Sequence, residues 1–349
     1  MLTGRLAAST LDSVQIHLTS VSANGNFDSK IAIRFRNAAS SVDMLLDSGS
    51  SVLVVPYWES IAALQDWQSN YTILAEMTEP WGCPAYVVVG PIDIPTVSGD
   101  IFTLPNCVFY ACVANNAQNQ RTANFGAGCL TPWWASSFNV VPGIGAMMAP
   151  LAYNVSYPFA EIKFAAAAQL LTAASTPKVA AGSSLTLNKI RPSGYRLFNI
   201  VSGTPWMSLR PRGLSIGGVG TVWPSALPAI AMIDTGGGPV FLSDPNADVC
   251  DRPWPDRVQN PGWTSSSVDC QSTRNPITVT LGDDVGSALM SYTIDPSLLP
   301  PSARGLSLVM CRNCQYMWGQ QGMNVGGISL LVNDLLIDYQ NFQIGLKSR

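Results

Sequence analysis

The stretch "SVDMLLDSGSSVLVVP", Ser41 to Pro56, sets an acidic residue between two apolar runs. Asp47 closes the run "MLL" and is followed by Ser48, Gly49 and Ser50 before "SVLVV" begins. Aspartate is a poor strand former and is rarely buried without a partner. A single Asp-Ser-Gly reads as a turn, in which the carboxylate accepts backbone N–H groups and glycine permits the unusual φ. The second half of the chain repeats the event in "AIAMIDTGGG" (229–238), where Asp234 stands 187 positions after Asp47. Two copies, each ending an apolar strand at matching places in two halves, point to one shared site.

Around these motifs the pattern is that of strands. "SVQIHLTSV", "KIAIRFR", "AYVVVG", "SLTLNKI", "PITVTL", "SYTID" and "LLIDYQNFQIGL" alternate or run apolar over short lengths between turn residues. The 29 Gly and 25 Pro supply the turns that many short strands need. Helical periodicity is confined to "ESIAALQDW" (59–67) and "PFAEIKFAAAAQLLTAA" (158–174). The expected class is therefore mainly all-β. The small, polar run "TAASTPKVAAGSSL" (172–185) is the expected boundary, dividing the chain into 1–180 and 181–349. A further echo follows each Asp motif: "VPGIGAMM" (141–148) and "MNVGGISLL" (323–331) both set Gly among apolar residues.

Composition excludes several classes. With 47% hydrophobic residues, 349 positions suffice for a large core. Charged residues make up only 12% and the net charge is −3, with no Lys/Arg cluster, so a nucleic-acid partner is not expected. "FAAAAQLLTAAS" is too short and Ala-rich to span a bilayer, so no membrane partner is expected. The start "MLTGRLAASTLDSVQIHL" lacks the apolar core of a signal peptide. Eight cysteines permit full pairing, the simplest arrangement joining the sequence neighbours Cys107/Cys112, Cys250/Cys270 and Cys311/Cys314. Cys311-x-x-Cys314 has no second half for a zinc site, and His17, the only histidine, falls in an expected strand. A Ser-His or Cys-His nucleophile therefore lacks its base, and "SIGGVG" (215–220) reads as a hairpin.

Paired carboxylates fit one chemistry well. Two aspartates at close range cannot both ionise, so they share a proton. The ionised member takes a proton from a water that attacks a peptide carbonyl, and the protonated member donates to the carbonyl oxygen. A glycosidase also uses two carboxylates, but Asp-Ser/Thr-Gly repeats are not expected there and Glu is scarce.

"LLDSGSSVLVVP", "AMIDTGGGPVFL", "VVPGIGA" and "MNVGGISLLVNDLLIDYQNFQIGL" resemble segments of the pepsin-like aspartic proteases, over most of the chain. The resemblance implies a bilobal fold of two pseudo-symmetric β lobes with a cleft between them, and endopeptidase activity at acidic pH. It makes Asp47 and Asp234 the dyad, Ser48 and Thr235 a hydroxyl grip between lobes, and Gly49 and Gly236 the close backbone. Ser50 would bond the outer oxygen of Asp47. It further implies a peptide or unfolded-protein substrate, hydrophobic residues beside the scissile bond, a monomer in a secreted or acidic setting, and neither cofactor nor metal. The chain departs from the family pattern in three places. Gly237 stands where the family has Ser or Thr, which leaves Asp47 as the expected ionised partner. Val54 replaces a usual Trp. The flap is reduced to "EPWGCPAYVVVGPIDI", with Trp81, Gly82 or Tyr86 at its tip. These departures keep open an alternative, a non-catalytic binding or inhibitor protein of the same fold.

Overall fold

The computed structural model describes residues 11–19, 29–56, 58–78, 83–113, 123–128, 140–141, 145–146, 149–165, 183–201, 207–222, 229–236, 240–244, 258–259, 270–272, 275–284, 289–295, 308–312 and 322–349. Strands dominate, as the alternating sequence requires. The first half supplies β1 (Ser13–Thr19), β2 (Lys30–Phe35), β3 (Val42–Asp47), β4 (Leu53–Val55), β5 (Thr72–Thr78), β6 (Pro84–Pro95), β7 (Ile101–Cys112) and β8 (Asn124–Gly126). Pairings run β2-β3-β8-β4-β7-β6, and β6 returns to β2, which closes a six-stranded barrel. Its interior follows from the period of two: Ile31, Ile33 and Phe35 point inward from β2, and Met44 and Leu46 from β3.

Short strands β9 (Val140–Val141) and β10 (Gly145–Ala146) form a separate hairpin. Next come β11 (Phe159–Lys163), β12 (Ser184–Asn188) and β13 (Arg196–Asn199). The second half continues with β14 (Ser208–Ile216), β15 (Val219–Val222), β16 (Ile230–Met232), β17 (Val240–Asp244), β18 (Val258–Gln259), β19 (Cys270–Ser272), β20 (Ile277–Gly282) and β21 (Leu289–Ile294). The last strands are β22 (Leu308–Arg312), β23 (Gly322–Asn324), β24 (Asn333–Asp338) and β25 (Gln343–Ser348). A sheet ordered β18-β19-β22-β17-β23-β16-β14-β20-β21 gathers most of this half.

Strands from both ends of the chain then meet. The order β13-β25-β24-β11-β12-β1 is antiparallel throughout, and β1 leads on to β2 of the barrel. All six residues of β24 are buried, as expected of a strand covered on both faces. One apolar cluster includes Ile33 and Phe109 from the first half and Leu209 and Val279 from the second, together with Leu185, Leu335 and Ile337 of this sheet. The expected boundary at 180/181 lies outside the described residues.

Three local expectations change. The helical reading of 158–174 fails at its start, because Phe159–Lys163 is strand β11, paired on both sides by β12 and β24. Pairing within a sheet overrides a local helical period. In 59–67 only Glu59–Ala62 is α-helical. Cys107 and Cys112 share strand β7, where five residues at about 3.4 Å each hold them ~17 Å apart, beyond the reach of a disulfide. Cys112 instead comes within 2.7 Å of Cys83. Cys250 and Cys314 lie outside the described residues, and the backbone of Cys270 pairs in register with that of Cys311 across β19 and β22. "SIGGVG" is the β14–β15 hairpin, with Gly217 and Gly218 at φ of 57° and 82°. His17 is exposed on β1.

Candidate active site

Both Asp motifs are built on the same supersecondary pattern. Strand β8 runs parallel to β3 and antiparallel to β4, and β4 runs parallel to β7. Strand β23 likewise runs parallel to β16 and antiparallel to β17, and β17 runs parallel to β22. Each Asp thus follows a strand into whose neighbourhood a much later segment is inserted. The inserted segment of the first half is "NFGAG" (124–128) rather than "VPGIGAMM", whose described residues make only the β9–β10 hairpin. The register is equivalent in the two halves. Asn124 stands opposite Leu45, two residues before Asp47, and Asn324 stands opposite Met232, two residues before Asp234.

Strand alternation explains why each carboxylate faces the other motif. Leu46 and Ile233 are buried in the core, so the next residue must leave on the opposite face. Asp234 is buried and Asp47 lies at the edge of accessibility, in hydrogen-bond contact with it.

The hydroxyls beside them lock the two motifs together. The Ser48 N–H donates to Thr235 Oγ1 at 2.9 Å, and the Thr235 N–H donates to Ser48 Oγ at 2.9 Å. Ser48 Oγ donates to the Ile233 carbonyl at 2.8 Å, and Thr235 Oγ1 donates to the Leu46 carbonyl at 2.6 Å. All four bonds are buried, so no water competes for them.

Glycine follows for want of space. A Cβ on Gly49 would lie 2.6 Å from Asp234 Cγ, and one on Gly236 would lie 2.7 Å from Asp47 Cγ. Each carboxylate also accepts, at Oδ1, the N–H two residues on, at 2.8 Å: Gly49 to Asp47 and Gly236 to Asp234.

Burial is the largest influence on Asp47, followed by the charge of Asp234 and the hydrogen bond between the two carboxyls. Together they hold the Asp47 carboxyl well above the usual carboxylate range, while the Ser50 hydroxyl and the Gly49 N–H pull the other way. These influences run against the sequence expectation that Asp47 is the ionised partner. The Ser50 bond to Asp47 is present as expected, but it opposes larger effects.

Further donors support the two carboxyls differently. Asn124 Nδ2 donates to Ser50 Oγ at 2.6 Å, so an amide and a hydroxyl form a relay to Asp47. In the other half Asn324 Nδ2 donates directly to Asp234 Oδ2 at 2.5 Å. Neither asparagine was singled out in the sequence. The available signal was the repeat N-F-G at 124–126 and N-V-G at 324–326, hidden because the two triplets are 200 positions apart while the aspartates are 187 apart.

The flap candidates divide. Trp81 and Gly82 lie outside the described residues. Tyr86 belongs to β6, opposite Glu76 of β5, two register pairs from the hairpin loop rather than at its tip. Its ring packs edge-on against Trp58, with centroids 5.2 Å apart, and Trp58 packs in turn on Trp67 at 5.0 Å. Val54 is buried in β4. Among the described residues no cluster of His, Cys, Asp and Glu is arranged to hold a metal.

No protein-family model matches the chain, and no curated protein does.

Proposed function

We propose that the chain is an aspartic endopeptidase with a pepsin-like, bilobal β fold, using Asp47 and Asp234 as its dyad. The observation that carries this reading is the contact of two carboxylates between motifs joined by reciprocal hydroxyl bonds. Such a pair retains a single proton, which suits it to acid and base work in one step. Asp234, ionised, takes a proton from a water as that water attacks a peptide carbonyl. Asp47 gives its proton to the carbonyl oxygen; on collapse Asp234 passes the proton it took from the water to the leaving nitrogen, the C–N bond breaks, and Asp47 regains a proton from a hydroxyl of the intermediate. The substrate is an extended peptide or unfolded protein, held by strand-like backbone hydrogen bonds. The β5–β6 hairpin, braced by Tyr86 on Trp58, is the element proposed to cover it.

The non-catalytic alternative stands on Gly237 and the altered flap. The amide that Asn324 donates to Asp234 weakens the first of these grounds. Cleavage of an unfolded protein at acidic pH, blocked by a statine-type inhibitor, tests the proposal. Asp47→Asn and Asp234→Asn should each abolish it, and full activity in either variant refutes the dyad.

A further inference from the structure

We propose that Asn324 is the positioning residue of Asp234, its amide replacing at the second carboxylate oxygen the hydroxyl that Ser50 provides to Asp47. This rests on the endopeptidase reading of the same dyad. Asn324 is buried, and its side chain is used at both ends: Oδ1 accepts the Gly326 N–H at 2.8 Å, and Nδ2 donates to Asp234 Oδ2 at 2.5 Å. The first bond fixes the amide orientation, so the second aims a donor at the carboxylate. Position 237 is Gly, three residues after Asp234, where the equivalent position after Asp47 is Ser50.

The register makes the substitution geometrically direct. Asn124 and Asn324 occupy the same place beside their respective Asp strands. In the first half a hydroxyl stands between, and Asn124 bonds it. In the second half no side chain exists at 237, and the asparagine reaches the carboxylate itself. An amide N–H held in this way gives the carboxylate oxygen a fixed hydrogen-bond donor.

The surrounding groups are compatible. Asp47 is in hydrogen-bond contact with Asp234 across the grip. Tyr292, on β21, donates to Ser329 and is kept protonated by burial, and Ser329 in turn bonds the Val325 carbonyl beside Asn324. Thr235 and Gly236 are neutral.

The test is the pH profile of kcat/KM for Asn324→Ala and Asn324→Asp against a peptide substrate. Asn324→Asp keeps an acceptor for the Gly326 N–H while replacing the amide donor with a carboxyl that repels the Asp234 charge, so it separates support of the loop from support of Asp234. Both variants should lose about tenfold in kcat with little change in KM, and their acid limb should move up by about one pH unit. A loss uniform across pH, with the limb in place, overturns the proposal.

Should the variants fail to fold, the wild-type chain labelled with 15N-asparagine decides it by NMR. The Asn324 side-chain amide should shift with pH in step with the dyad, and a pH-independent amide signal overturns the proposal. If wild type cleaves no peptide, the endopeptidase reading fails, while the amide titration still decides the role of Asn324.

Discussion

Replacing Thr235 with Val keeps the shape of the side chain and removes its oxygen. Two backbone groups lose their partners at once: the Ser48 N–H, bonded at 2.9 Å, and the Leu46 carbonyl, bonded at 2.6 Å. Ser48 and Leu46 are both 0% exposed, so water cannot replace the lost oxygen without opening the junction between the motifs. Leaving a buried polar group unsatisfied costs about 1–3 kcal/mol, and two such groups cost about 2–6 kcal/mol. For a chain of 349 residues, with unfolding entropy near 2.1 cal/mol/K per residue, that lowers the melting temperature by about 3–8 °C. Urea unfolding at fixed pH measures the free energy directly. Thr235→Ser, which restores the oxygen, should recover most of the loss. A Thr235→Val protein within about 0.5 kcal/mol of wild type would falsify the claim that this hydroxyl carries the junction.

Asp47→Asn should flatten the pH dependence of stability. The folded carboxyl titrates above its unfolded value of about 3.9, so its contribution is complete below that pH and is lost as pH rises through the folded value, at about 1.4 kcal/mol per pH unit. Equal slopes for wild type and variant in urea titrations would show that the Asp47 carboxyl is not raised in the folded chain. Gly49→Ala places a Cβ 2.6 Å from Asp234 Cγ and should cut kcat on the order of 100-fold by displacing the carboxylate, as a steady-state assay on a peptide can show. Tyr339→Phe deletes the buried 2.6 Å bond from Tyr339 to the Ala127 carbonyl, behind the first Asp motif. It should cost about 1–3 kcal/mol in unfolding experiments, and a neutral result would show that the carbonyl finds another donor.

Features set by near neighbours in the chain were legible in sequence. Alternation in "KIAIRF" places Ile31, Ile33 and Phe35 in the barrel, and paired glycines turn the β14–β15 hairpin. The two Asp-Ser/Thr-Gly triplets announced their junction because both copies keep every group the junction uses. Features set by distant pairing were not legible. "PFAEIK" has a helical period, yet it becomes a strand because β12 and β24 offer hydrogen bonds on both sides. The cysteine neighbours Cys107 and Cys112 lie along one strand, while Cys83 meets Cys112 from the adjoining hairpin.

The sequence by itself determined the strand-rich class and the identity of the two carboxylates, since periodicity and a repeated motif are local properties. Tertiary structure alone decided which inserted segment backs each motif, and hence that Asn324 meets Asp234 and that burial beside a second carboxyl raises the proton affinity of Asp47. The reason is physical. Protonation depends on burial and on donors brought from far along the chain, and neither the buried environment nor the register of an inserted strand is carried by the residues adjacent to the aspartate.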